Sequence, residues 1–140
     1  KAQRLRYANN DLAELEQRMQ KRSLKAGEKV FALGDSGDEL FLIRKGAVRI
    51  LLPISDTQNH HLGTFGRGSF FGEMAFLDGA TRSANAVAFV DTELYALSRQ
   101  TFEAFSEEHK NTSLALLAGL ASVLSSRLRF TNSELRALEG

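Results

Sequence analysis

The 140-residue chain has no cysteine, which excludes disulfides, thiolate nucleophiles and cysteine-ligated metals. The fold must therefore rest on packing, and a reducing cytoplasm is a compatible location. An excess of charge is missing too: 18 basic and 17 acidic residues are scattered along the chain and leave a formal +1. No broad basic field faces a polyanion, so nucleic acid is not the expected partner. Long apolar runs are absent. The most apolar stretch, Leu114 to Leu124, contains Gly119 and Ser122 and falls short of the roughly 18 residues that cross a bilayer. Neither a membrane span nor a signal peptide is expected. Catalytic motifs are lacking as well, with no G-x-S-x-G and no G-x-x-x-x-G-K-[ST]. Of the three histidines, His60 and His61 are neighbours on a strand and point to opposite faces, while His109 falls on a helix, so a converging metal set is not expected. The chain reads as a non-enzyme.

What is present is ordinary globular composition, 43% hydrophobic and 25% charged, at a length that buries about two thirds of the unfolded surface in one core. Nine of the eleven glycines lie between Gly27 and Gly79, where they punctuate short apolar runs. Before them, Leu5, Ala8, Leu12, Leu15 and Met19 recur at helical spacing, and Asp11 with Glu14 fits a capping box. From Val30 the pattern becomes short strands: VFAL, LFLIRK, AVRILLPI with Pro53 near its end, HHLGTF, SFF, ANAVAF and ELYALS, each bounded by turn residues. Such spacing predicts a sandwich or jelly-roll barrel.

Ser98 is placed to cap a helix through about Glu108, and Asn111 or Thr112 to cap a last one. In that last helix Leu114, Leu117, Ala121, Leu124, Leu128, Thr131, Leu135 and Leu138 form a heptad-like seam, and Leu116, Leu120, Val123 and Phe130 form a second apolar line. One line can cover the barrel while the other meets a partner, so a homodimer through this helix is expected. Arg127, Arg129 and Arg136 read as a solvated face. The expected division is a linker and helix over 1–23, a β-roll over 24–98 and closing helices over 99–140. Because the chain opens on Lys1 in mid-pattern, a fragment of a longer protein is expected, although tag removal produces the same start.

The segment from Phe70 to Ala84, FFGEMAFLDGATRSA, reads as one helical turn plus a loop. Gly72 lets the backbone approach a ligand, and the amides of Glu73, Met74 and Ala75 at the start of the turn are free donors that favour an anion. Arg82 offers a planar fork to two phosphate oxygens, and Ser83 adds a hydroxyl. A carboxylate beside a phosphate makes sense where Glu73 accepts hydrogen bonds from sugar hydroxyls. Phosphate and ribose together point to a nucleotide.

The run F-G-E-M-A-F-L-D-G-A-T-R-S-A resembles the phosphate-binding cassette of the cyclic nucleotide-binding domain family, of the catabolite activator type. The likeness extends from about Leu24 to Leu138. It implies a mainly β fold: a double-stranded β-helix, or jelly roll, with an N-terminal helix, a short cassette helix and two C-terminal helices. It implies that Glu73 holds the ribose 2′-hydroxyl and Arg82 the cyclic phosphate. Gly72, Met74, Ala75, Ser83 and Ala84 supply backbone or hydroxyl donors, with Phe71 beside them. The loop before Arg82 is one residue shorter than in the bacterial catabolite activator. Base recognition is implied for Thr131 and Asn132, on a last helix that acts as a lid. Serine at position 83 favours cAMP over cGMP. A narrower likeness, carried by F-F-G-E-M-A-F-L-D, R-S-A, R-L-R and E-L-R-A-L, is to the C-terminal domains of bacterial SulP-type anion transporters. It implies an attached parent domain and a cytoplasmic module tethered to the inner membrane through that parent. The rival expectation is a ligand-free scaffold or dimerisation module that keeps the fold.

Overall fold

The computed structural model describes residues 9–139, with side chains described for 13–127. Helix α1 (Asn9–Arg18) leads into eight strands: β1 (Gln20–Leu24), β2 (Lys29–Phe31), β3 (Leu40–Lys45), β4 (Ala47–Pro53), β5 (Asn59–Gly66), β6 (Phe70–Phe71), β7 (Asn85–Ala88) and β8 (Thr92–Leu97). Helix α2 (Glu73–Asp78) lies between β6 and β7, and α3 (Arg99–Glu108) and α4 (Lys110–Glu139) close the chain. Every strand pair is antiparallel. The strands form two four-stranded sheets, ordered β1-β8-β3-β6 and β2-β7-β4-β5, which is the expected mainly β roll with flanking helices. Strand β1 belongs to the first sheet and lies largely before the boundary expected at residue 24.

The run LFLI in β3 does not alternate because both of its faces are covered. Phe41 and Ile43 enter the roll with Val48, Phe71, Ala86, Leu94 and Ala96. Leu40 turns the other way, toward Leu15, Phe76, Leu97, Phe102, Phe105, Leu116 and Leu120 under the helices. Phe76 thus ties the short α2 to the helical side of the sheet, where Phe70 also packs, while Phe71 enters the roll. Along α4 the two apolar lines separate: Leu116 and Leu120 are buried against the sheet, whereas Leu114 and Leu117 are exposed.

Ser98 caps α3 as expected, its hydroxyl accepting from the Thr101 amide at 3.1 Å. Two expected starts are corrected. Helix α4 begins at Lys110, directly after the corner at His109, so Asn111 and Thr112 lie inside it. Helix α1 is already formed at Asn9, where the described residues begin, so Asp11 lies inside it, and the Glu14 carboxylate is used by Arg18 one turn along and by His109 across the fold. It accepts from Arg18, which also donates to Glu108, and its Oε1 lies 3.1 Å from His109 Nε2. Positions Leu5 and Ala8 of the expected helical face lie outside the described residues.

This cluster pins α1 to the α3–α4 corner, and it carries a pH dependence. The hydrogen bond to His109, assisted by Arg18, holds the Glu14 carboxyl below its ordinary value. A carboxyl whose pKa is lower in the folded state supports docking above the ordinary carboxylate range and loses that support as pH falls through the depressed value. We expect the α1 amide signals in an NMR titration to show an acid transition below the ordinary glutamate range. Glu14→Gln should abolish it, and an unchanged transition in the variant would assign it to another group.

Candidate functional site

The site is assembled where β6 ends. Gly72 takes up a left-handed conformation, φ 79°, and starts α2 with no side-chain cap, so the first amides of that helix are left without a capping side chain. A Cβ at Gly72 would stand 2.9 Å from Arg82 Nη1 and 3.2 Å from both Glu39 O and Phe41 Cδ2, which is why only glycine fits. At the other end Gly79 turns the chain, its amide donating to Ala75 O at 2.8 Å, and Asp78 Oδ1 accepts from the Ala80 amide at 2.8 Å. The loop then returns to Arg82, whose backbone is fastened to the Gly34–Asp35 turn by two 2.8 Å hydrogen bonds.

The Arg82 side chain is 5% exposed. Its guanidinium lies over the Phe31 ring, 4.3 Å from the centroid, and donates to Gly72 O at 3.1 Å and Glu39 O at 2.9 Å. Among the described residues no carboxylate forms a salt bridge with it. Burial pulls its pKa below the ordinary arginine value, opposed by the more distant charges of Glu39, Asp38, Asp35 and Glu73. It remains a cation at neutral pH. Two of its five N–H donors are used on carbonyls, which fix the plane of the fork and leave three for another acceptor.

Glu73 is 8% exposed. Its Oε2 accepts from Arg127 Nη1 at 2.5 Å, while Arg127 Nη2 donates to Phe70 O at 2.7 Å and the guanidinium covers the Phe65 ring at 4.4 Å. The expectation that Arg127 belongs to a solvated face is therefore corrected. It reaches back across the sequence and docks α4 on the start of the cassette helix.

These groups line one cavity of about 180 Å³. Eight residues singled out in the sequence line it: Phe71, Gly72, Glu73, Met74, Ala75, Arg82, Ser83 and Ala84. Thr131 and Asn132 lie outside the residues whose side chains are described. Sequence reasoning placed Arg127 on a solvated face and did not single out the apolar wall of Phe31, Ile50, Leu62, Gly63 and Phe65. Leu62 arrives there through a bulge, because Ile50 pairs with Gly63 whereas Leu51 pairs with His61. A buried cation, a buried carboxylate and an apolar wall suit a ligand that is anionic at one end, hydroxylated in the middle and flat and apolar at the other.

Residues 21–109, more than half of the chain, match the family described as cyclic nucleotide-binding domain. The chain belongs to that family. This cyclic nucleotide-binding domain is 40% identical to the Cyclic AMP receptor protein of Thermus thermophilus over 120 residues, covering 85% of the chain and 53% of that protein. It is 35% identical to Glutaminase 1 of Bradyrhizobium diazoefficiens over 129 residues, 92% of the chain and 20% of that protein. A solved cyclic nucleotide-binding domain from Methylobacillus flagellatus superposes with a TM-score of 0.86 at 27% identity, covering 94% of this chain and 74% of that one. The chain thus spans about half the length of the receptor protein and a fifth of the glutaminase. Among the described residues no helix is long and apolar enough to cross a membrane.

Proposed function

We propose that this domain is a regulatory sensor that binds cAMP in preference to cGMP and catalyses no reaction. One observation carries the reading: a buried arginine that forms no salt bridge among the described residues faces the same cavity as a buried glutamate, whose bond to Arg127 uses only Oε2. An anionic phosphate supplies a directly bonded counter-charge, which Arg82 does not have among the described residues, in a place where desolvation makes that charge strong. The ribose 2′-hydroxyl donates to Glu73, whose Oε2 already accepts from Arg127. Sugar and lid helix then share one carboxylate. The amides at the start of α2 and the Ser83 hydroxyl complete the phosphate cradle. Leu62, Phe65 and Met74 offer the base an apolar surface, with Thr131 and Asn132 as its polar readers. Ser83 and the likeness to a cyclic AMP receptor protein support cAMP.

Binding neutralises the cassette, tightens α4 over the pocket and passes the movement to a paired subunit or an attached domain. The exposed Leu114 and Leu117 support pairing through α4. The parent carrying this module is proposed as an attached effector, of which a SulP-type anion transporter at the inner membrane is one form. The rival reading, a ligand-free scaffold, draws support from the Glu73–Arg127 pair, which holds α4 down by itself.

Titration calorimetry of the 140-residue chain with cAMP and cGMP separates the two. Saturable heat, stronger binding for cAMP and one site per chain are expected. No heat with either nucleotide at millimolar concentration would leave the scaffold standing, and tighter binding of cGMP would reverse the proposed preference.

A further inference from the structure

The cassette helix is gripped at its far end by a residue that touches no part of the cavity. Arg99 opens α3, and its Nη1 donates to Phe76 O and to Leu77 O, both at 3.1 Å. Those carbonyls sit in the last turn of α2, where Gly79 N–H already takes Ala75 O and no later helical amide follows. A cation there also suits the negative end of the helix. The guanidinium is steadied from the opposite side by Glu103, with Arg99 Nε 3.3 Å from Glu103 Oε2. Beneath the tie, Phe76 meets Phe102 edge to face at 5.5 Å.

The two contacts differ in what they fix. An edge-to-face ring pair holds α2 and α3 together but lets them slide. Hydrogen bonds from one guanidinium nitrogen to two successive carbonyls fix the register between them. The Arg99 side chain is 42% exposed and its bonds to the two carbonyls are part-buried, so its removal opens a way for water to reach the acceptors it leaves. Stability therefore does not explain the arrangement. Its geometry does, since α2 carries ligand-facing amides at one end and the Arg99 grip at the other. Helix α3 runs from that grip to the His109 corner and into α4, the helix that bears Arg127.

We infer that Arg99 is a positioning residue that transmits a shift of the cassette helix to the α3–α4 arm, so that binding at the head of α2 is read out by α4. This inference rests on the proposed nucleotide binding. The test compares the parent chain, Arg99→Ala and Arg99→Lys by calorimetry with cAMP and by hydrogen exchange of residues 110–127 with and without cAMP. For Arg99→Ala the affinity should stay within about threefold of the parent, as for an exposed side chain outside the pocket. The cAMP-induced slowing of exchange in α4 should disappear, and Arg99→Lys should recover part of it. Full slowing in Arg99→Ala overturns the role of Arg99 and leaves binding intact. Loss of binding in Arg99→Ala when the parent binds overturns it too, because it shows a role in forming the pocket. No heat from the parent with cAMP or cGMP overturns the nucleotide reading and this inference with it.

Discussion

Arg82→Leu is expected to abolish measurable cAMP binding while leaving the ligand-free fold close to parental stability. Removing a desolvated charge that a ligand anion pairs with costs about 2–5 kcal/mol, which weakens binding by roughly 30-fold to several thousand-fold. The effect on folding is small because two changes oppose each other. Gly72 O and Glu39 O lose their donor, and an unsatisfied buried acceptor costs about 1–3 kcal/mol. Against that, a cation whose burial already pulls its pKa down is removed from a site where no carboxylate among the described residues is bonded to it. Leucine can pack on Phe31 and Phe41, the rings the guanidinium now covers. Replacing buried charge by a well-packed apolar side chain is often neutral or favourable. A melting temperature within about 4 °C of the parent, combined with silence in calorimetry, is the expected pair of results. Parental affinity in the variant would remove Arg82 from the binding site. A collapse of stability with binding preserved would recast it as a structural residue.

Gly72→Ala should damage both folding and binding, and the order of its effects is informative. Alanine in the left-handed region costs about 1–2 kcal/mol, and φ at Gly72 is 79°. The new methyl would also stand 2.9 Å from Arg82 Nη1. The backbone oxygen of Glu39 and the Phe41 ring, both at 3.2 Å, leave it little room to turn elsewhere. The guanidinium must therefore move off the plane set by its two carbonyl acceptors. A loss of about 1–3 kcal/mol in urea unfolding and at least tenfold weaker cAMP binding, about 1.4 kcal/mol, are expected. Parental affinity despite the stability loss would show that the fork does not have to sit where it does.

Much of the architecture was legible because it is written in local pattern. Short apolar runs bounded by turn residues predicted the strands from β2 onward, while β1 fell in the segment read as linker and helix, and Ser98 predicted the start of α3. The paired apolar lines on α4 predicted one buried row, found at Leu116 and Leu120, and one exposed row, found at Leu114 and Leu117. The cassette was legible for a further reason: Gly72, Glu73 and Arg82 are chemically improbable neighbours unless something joins them. Local pattern misled where a residue had a stronger partner far away. Glu14 reads as a cap from its spacing to Asp11, but His109 lies 95 positions along the chain and reaches its carboxylate. The start of α4 was misplaced because the corner at His109 let the helix begin before either expected cap.

By itself, the order of residues determined that this chain has one β-roll, a short helical turn begun by a glycine between two strands, and a greasy final helix, since each follows from spacing over a few neighbours. Only the tertiary structure decided what the two ends of the site do with one another. Arg127 sits on Glu73 across 54 positions, Leu62 is turned to the cavity by a one-residue bulge, and Arg99 grips carbonyls 22 and 23 residues before it. A guanidinium reads the same on a solvated face as over a buried carboxylate. What separates the two cases is the path of the backbone that brings the acceptor within reach.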